Sequence, residues 1–378
     1  MTQIDFAELA TLIRCNSHSK NKVGIDEHGE QMIALLAPLG FAMTRYQREN
    51  IGDHLLFHTP KRAGKKILLL GHLDTVFPPN TFTEFKQDDD WVYGPGVCDM
   101  KGGNFVALNA LRNLKAEFGP LYNIDFLLVS DEETGSDDSK YLTAKLAKDY
   151  DACLVFEAAG KDHEVVIGRK GIATFDIEII GKAAHAGNHY ADGIDANYAL
   201  ANMLTEMTAL TDLKKGSTVN VGRISGGLST NTISPKASMM VEVRFKTLKE
   251  QQRLLKGIEN ICFAMEITGV QINVNGGLQR GVMSPDTMQQ QLLDEIAMIL
   301  DEPLKTEQRG GVSDANVVSA AGVPTLDGFG PYGDGDHTIH ERALKSSFEL
   351  RIRQVTQILS AWCYQEDSEE SKQDVLEV

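Results

Sequence analysis

At 378 residues the chain is longer than a single core comfortably supports, and two domains are expected. A hydrophobic fraction of 42% and a charged fraction of 24% are those of a soluble globular protein. A formal net charge of -16 argues against nucleic acid and anionic membrane as partners, because both require basic surface.

The N-terminal stretch "MTQIDFAELATLIRC" has neither a basic leader region nor a long apolar core, so it reads as an amphipathic helix and not as a signal peptide. No uninterrupted apolar segment is long enough to span a membrane. The five cysteines (Cys15, Cys98, Cys153, Cys262, Cys363) are scattered and form no CxxC pair, which indicates neither a disulfide framework nor a thiolate zinc site. A cytoplasmic location is expected.

Three short, nearly continuous apolar runs follow: "KKILLLGHLDTV", "YNIDFLLVSDEE" and "DACLVFEAA". Runs of this kind predict strands buried on both faces. The segments between them, "KGGNFVALNALRNLKAEF" and "SKYLTAKLAKD", have helical periodicity. Strands alternating with helices predict an α/β fold with a mixed sheet, in which ligands gather at the carboxyl ends of strands. His72, Asp74, Glu132, Glu133 and Glu157 all stand at such ends.

After Gly168 the pattern changes. "GIATFDIEIIGKAAHAG" alternates like an antiparallel strand, and the elements that follow read in the order βαββαβ, a ferredoxin-like domain inserted at 169–282. Residues 1–168 and 283–364 then form the first domain. Its second part includes the helix "TMQQQLLDEIAMIL" and a closing helix "ERALKSSFELRIRQVTQILSAW". Residues 365–378 form an acidic, solvated tail.

The strand-end residues form a constellation with metal-ligand chemistry. His72 and Asp74 are two apart and project to one side of an extended chain, so Asp74 can accept the second imidazole N–H and orient His72. Asp99 lies in "YGPGVCDMKGG", just before a helix; the phosphate-loop spacing is missing and a carboxylate would repel an anion. "GDGDHTIHE" offers two histidines, His337 and His340. Taken singly, each of these has an ordinary explanation, such as a satisfied buried histidine or a solvated acidic turn. Taken together they balance charge: two Zn²⁺ carry four positive charges, matched by Asp99, Glu133, Glu157 and one hydroxide. Oxygen and nitrogen ligation without thiolate indicates a catalytic site, where two metals activate water and polarise a carbonyl. Glu132, beside the ligand Glu133, is then the general base.

In order along the chain, "GHLDTVFP", "GPGVCDMKGG", "SDEETGS", "FEAA", "GKAAHAG" and "HTIHE" resemble the co-catalytic dizinc exopeptidase and deacylase family, which includes glutamate carboxypeptidase, acetylornithine deacetylase and succinyl-diaminopimelate desuccinylase. The resemblance covers nearly the whole chain and is nearest to the glutamate carboxypeptidase branch. It implies two Zn²⁺ per subunit, with Co²⁺ or Mn²⁺ able to substitute. His72, Asp99 and Glu157 would hold one ion, and Asp99, Glu133 and His337 the other. It also implies that the inserted domain is a lid and dimerisation domain, giving a homodimer. His185 would stabilise the oxyanion, while Asn231, Arg244 and Arg280 would line the substrate pocket. Arg280 suits a substrate carboxylate, whereas Arg244 could equally belong to a surface ion pair. The expected activity is hydrolysis of an amide next to a free carboxylate in a small peptide, releasing a C-terminal amino acid such as glutamate. An N-acyl amino acid deacylase is the alternative, and a catalytically dead binding protein the rival from another class.

Overall fold

Every residue of the strands Ile67–His72, Ile124–Val129 and Ala152–Val155 is buried, as continuous apolar runs require. The computed structural model describes residues 4–266 and 269–364, so the acidic 365–378 segment lies outside the described residues. Ile67–His72 lies between the other two strands and pairs parallel with both, and Thr325–Leu326 adds a fourth parallel strand beside Ala152–Val155. On the other side, His54–His58 and then Ala42–Tyr46 extend the sheet antiparallel, giving a mixed sheet of six strands. Parallel pairing brings three strand ends to one edge, with His72 opposite Val129. Full burial of each leucine from Leu68 to Leu70 contributes about 1.5–3 kcal/mol, which anchors the polar residues at that edge.

Helix Lys101–Phe118 begins with two glycines for a steric reason. A Cβ on Gly102 would lie 1.9 Å from the Val97 carbonyl oxygen, and one on Gly103 would lie 1.9 Å from that of Phe156. Their absence lets the helix start press against the strand end that carries Glu157. The same helix packs on helix Lys345–Tyr364, with the rings of Phe105 and Phe348 6.2 Å apart.

The closing helix starts later than its periodicity predicts. Arg342–Leu344 is a strand, paired antiparallel with Trp91–Tyr93 and with Gly333–Asp334. The Arg342 guanidinium donates twice to the Asp334 carboxylate (2.8 and 3.0 Å) and stacks 4.0 Å above the Trp91 ring, interactions a first helical turn would break. This small sheet joins the chain just before Asp99 to the loop carrying His337.

One unit of the chain comprises residues up to Gly168, Pro285–Arg309 and the chain from Ser313; the other comprises Arg169–Ser284 with Gly310–Val312. The second unit therefore extends beyond the expected 169–282. Arg169 and Met283 exchange backbone hydrogen bonds, and the guanidinium groups of Arg169 and Arg244 donate to the carbonyls of Gly311 (3.2 Å) and Gly310 (3.3 Å). Its strands Gly171–Ile180, Thr218–Gly226, Lys236–Phe245 and Gln271–Arg280 form one antiparallel sheet. Their spatial order is second, third, first, fourth, the ferredoxin-like arrangement. Helices Ala196–Ala209 and Leu248–Glu266 supply Met203, Met207, Leu254 and Ile258 to a core shared with Ile177, Met239 and Val243. Among the described residues, no helix is long and apolar enough to cross a membrane.

Candidate metal centre

His72 ends the central strand, and its imidazole is buried. Its Nδ1 lies 2.9 Å from the Asp74 carbonyl oxygen and 3.4 Å from the Asp74 carboxylate. The backbone carbonyl is thus the nearer acceptor, where the sequence suggests the carboxylate. Because a carbonyl can only accept, Nδ1 carries a hydrogen. Nε2 then faces two carboxylates, 3.2 Å from Asp99 Oδ1 and 3.7 Å from Glu157 Oε1. Either a proton on Nε2 or a cation between these groups satisfies that arrangement.

The same situation recurs on the other side of Asp99. His337, in the left-handed region at φ 61°, places Nε2 3.2 Å from Asp99 Oδ2 and 3.2 Å from Glu133 Oε2. Asp99 therefore gives one oxygen to each histidine. Two groups of three result, His72–Asp99–Glu157 and Asp99–Glu133–His337, each with its ligand-type atoms within 4.8 Å of one another. Each group offers two carboxylates and one imidazole, a donor set that suits a divalent ion. Glu133 Oε1 is buried without a hydrogen-bond partner, an arrangement that an ion would relieve.

The protonation tendencies agree. Burial, reinforced by Asp99, pushes the Glu133 carboxyl up to about 8, and burial raises Glu157 well above the carboxylate range. Hydrogen bonds to Asp99 and Glu133 raise His337 to about 11. Burial works against ionisation of Asp99, but the two histidines outweigh it and hold the carboxyl well below its usual range. Burial likewise opposes a charged His72, yet hydrogen bonds to Asp74 and Asp99 raise it well above the histidine range. Protons are drawn into the cluster because negative charge there exceeds what the protein itself neutralises.

The three adjacent acids divide their tasks. Asp131 turns inward: Oδ2 accepts the N–H groups of Asp138 (2.9 Å) and Ser139 (3.2 Å), fixing the start of helix Ser139–Ala147. Glu133 faces His337. Glu132 is half-buried beside it, and its charge contributes to the raised pKa of both Glu133 and Glu157. The Asp74 carboxylate accepts the backbone N–H of Glu132 at Oδ1 and of Glu133 at Oδ2, both at 3.2 Å. Asp74 thus links the His72 strand end to the Glu132–Glu133 turn.

Three participants escape a reading of motifs. Ser19 donates its hydroxyl to Asp74 Oδ2 (2.9 Å) from 55 residues upstream, where no sequence signal marks it. Asn104 donates to the His72 carbonyl (2.8 Å), and a Cβ on Gly71 would lie 2.1 Å from its amide oxygen. Glu341, buried four positions after His337, accepts the N–H groups of Gly96 (2.9 Å), Cys98 (3.0 Å) and Asp99 (3.1 Å). Its polar context, "HTIHE", was the available clue. His340 is exposed, and its backbone N–H donates to Thr338 Oγ1 (3.2 Å).

In the second unit, His185 Nδ1 accepts the N–H groups of Gly187 and Asn188 at 3.1 Å each, so the ring proton resides on Nε2. Asn231 lies in the turn between strands Thr218–Gly226 and Lys236–Phe245: its carbonyl accepts the Ala186 N–H (2.9 Å), and His185 forms an isolated bridge with Thr232. Arg244 and Arg280 flank Ile172 in the sheet. Arg244 is held by Glu242 (2.9 and 3.3 Å), whereas Arg280 is buried.

The profile of Peptidase family M20/M25/M40 matches residues 68–361. The chain belongs to this family. Carboxypeptidase G2 of Pseudomonas sp. (strain RS-16) is 29% identical over 341 residues, covering 87% of this chain and 82% of that protein. Acetylornithine deacetylase of Edwardsiella ictaluri (strain 93-146) is 28% identical over 257 residues, covering 62% and 65%. Among solved structures, a Staphylococcus aureus tripeptidase superposes with a TM-score of 0.78 at 22% identity, covering 95% of this chain and 97% of that one. Bacillus subtilis YXEP, described as a dinuclear metal binding peptidase from the M20 family, superposes with a TM-score of 0.66 at 15% identity, covering 94% and 98%. These structures share the fold of this M20 chain.

Proposed function

We propose that the protein is a dizinc carboxypeptidase that hydrolyses an amide bond next to a free carboxylate, releasing C-terminal glutamate or a similar amino acid. The observation that carries this reading is the sharing of Asp99 between two three-residue groups of metal-ligand type. His72, Asp99 and Glu157 would hold one ion, and Asp99, Glu133 and His337 the other. Such a pair, when bound, supplies a water nucleophile at neutral pH and polarises the scissile carbonyl.

The side chains around it do the rest. Glu132 takes the proton of the attacking water and returns it to the leaving amine. Asp74 keeps that carboxylate in place through the backbone N–H groups of residues 132 and 133. His185, with its proton on Nε2, donates to the developing oxyanion. Arg280 pairs with the substrate carboxylate and Asn231 contacts the same substrate. Arg244, paired with Glu242, lines the same substrate pocket. The similarity to carboxypeptidase G2 along most of both chains favours carboxypeptidase over deacylase activity. We further propose a homodimer, supported by the exposed Ile224 on the edge strand Thr218–Gly226, Leu228 just after it and Tyr198 on helix Ala196–Ala209, and a cytoplasmic location, supported by five unpaired cysteines.

A panel of N-acylated amino acids and dipeptides, assayed with zinc and with cobalt, tests the reading. Turnover of N-acyl glutamates and dipeptides ending in glutamate above acetylated basic amino acids is expected. Preference for acetylornithine would favour the deacylase, and no turnover of any member would refute hydrolysis of this substrate class.

A further inference from the structure

We propose that Glu341 is a positioning residue that sets the orientation of Asp99 for both metal sites; this rests on the dimetal reading above. Glu341 is fully buried, yet it belongs to neither three-residue group. Its two carboxylate oxygens are engaged by backbone donors of the loop that carries Asp99. Oε2 accepts from Gly96, and Oε1 accepts from Cys98 and from Asp99 itself. The Cys98 thiol also points at Oε1, at 3.4 Å. Hydrogen bonds to a charged acceptor are roughly twice as strong as neutral ones, so three of them on one short loop constrain its path closely.

The backbone of Glu341 completes the connection. Its carbonyl accepts the Gly94 N–H (3.3 Å), and its own N–H donates to the Thr338 carbonyl (3.2 Å), beside His337. One residue therefore clamps the Asp99 loop to the His337 loop. Asp99 must present Oδ1 to His72 and Oδ2 to His337, both at 3.2 Å. A rotation of its peptide would spoil both contacts together. Glu341 is placed to prevent that rotation without touching an ion.

The test is Glu341→Gln in the full-length protein, with zinc and cobalt affinities measured by chelator competition and metal-free unfolding followed in parallel. The glutamine keeps the shape but turns one acceptor into a donor facing a backbone N–H. Both metal affinities should fall together, by about 10–100-fold, and Glu341→Asp, which retains the charge, should recover part of the loss. If Glu341→Gln does not fold, Glu341→Asp is measured alone and should still weaken both sites. Two sites within about twofold of wild type in a folded variant would overturn the proposal, as would loss at one site only. Lowered metal-free stability with unchanged affinities would also overturn it, since that is an ordinary packing role. Wild-type protein binding fewer than two ions would instead refute the dimetal reading and the proposal with it.

Discussion

Removing divalent ions should make the stability of the metal-free protein fall as pH rises from 6.5 to 7.5. Glu157, raised well above the carboxylate range by burial, and Glu133 carry the effect. The Glu133 carboxyl is pushed from 4.5 up to about 8 by burial and by Asp99, and its side chain is only 4% exposed. Across this window the folded state holds a proton that the unfolded state has released, so unfolding is favoured by increasing pH. One proton corresponds to about 1.4 kcal/mol per pH unit. His337, raised to about 11, has the same sign, but its side chain is 55% exposed and solvent screens its share. Glu341, raised to about 7 by burial, adds in the same direction over the lower half of the window. His28, whose burial lowers its pKa, opposes only near the bottom of the window, where the unfolded imidazole still binds protons. The net expectation is a loss of at least about 1 kcal/mol, read as a lower urea midpoint for chelator-treated protein at pH 7.5 than at pH 6.5. With zinc bound the trend should reverse, because binding displaces those protons and strengthens with pH. Metal-free stability that is flat or increasing over this interval would show that the cluster holds no extra proton and would remove the electrostatic argument for a cation there.

Glu132→Gln should keep two metals by atomic emission while kcat falls about 10²–10⁴-fold; a variant with most of its turnover would exclude Glu132 as the base. Asp99→Asn should weaken both metal sites in a titration, whereas Glu157→Gln should weaken one, and two full-affinity sites in Asp99→Asn would contradict bridging. His185→Ala should lower kcat about 10²–10³-fold with metal content intact and KM little changed. An unimpaired His185→Ala enzyme would remove the oxyanion role.

How far the sequence could be read depends on where each residue's constraint originates. The three buried strands declared themselves because burial on both faces demands an apolar run, and the acids at their ends were conspicuous as the points where those runs stop. His72, Glu133 and Glu157 were legible for that reason. The strand at Arg342–Leu344 was not, since its residues continue a helical periodicity and only pairing with Trp91–Tyr93 decides their conformation. Glu341 and Ser19 were missed because their partners are backbone amides and a carboxylate brought near by the fold, across 242 and 55 residues respectively. Asp74 was recognised as the partner of His72, but its hold on the Glu132–Glu133 turn became visible only with the turn's backbone in view.

The sharing of Asp99 has a further consequence, for the order in which the site can be made. His72, Asp99 and Glu157 have all been synthesised once the ribosome passes residue 157, and the strands Ile67–His72, Ile124–Val129 and Ala152–Val155 that align them are then also present. His337 is 180 residues later (337 minus 157). At a usual elongation rate of about 5–20 residues per second, that interval lasts roughly 10–40 s. During it, Asp99 and Glu133 lack the His337 imidazole, and Trp91–Tyr93 lacks one of its two partner strands, Arg342–Leu344. The growing chain therefore holds every member of one ligand group well before the other, with the Asp99 loop clamped only once Glu341 follows, and a chain released short of residue 337 would leave the shared carboxylate serving a single histidine.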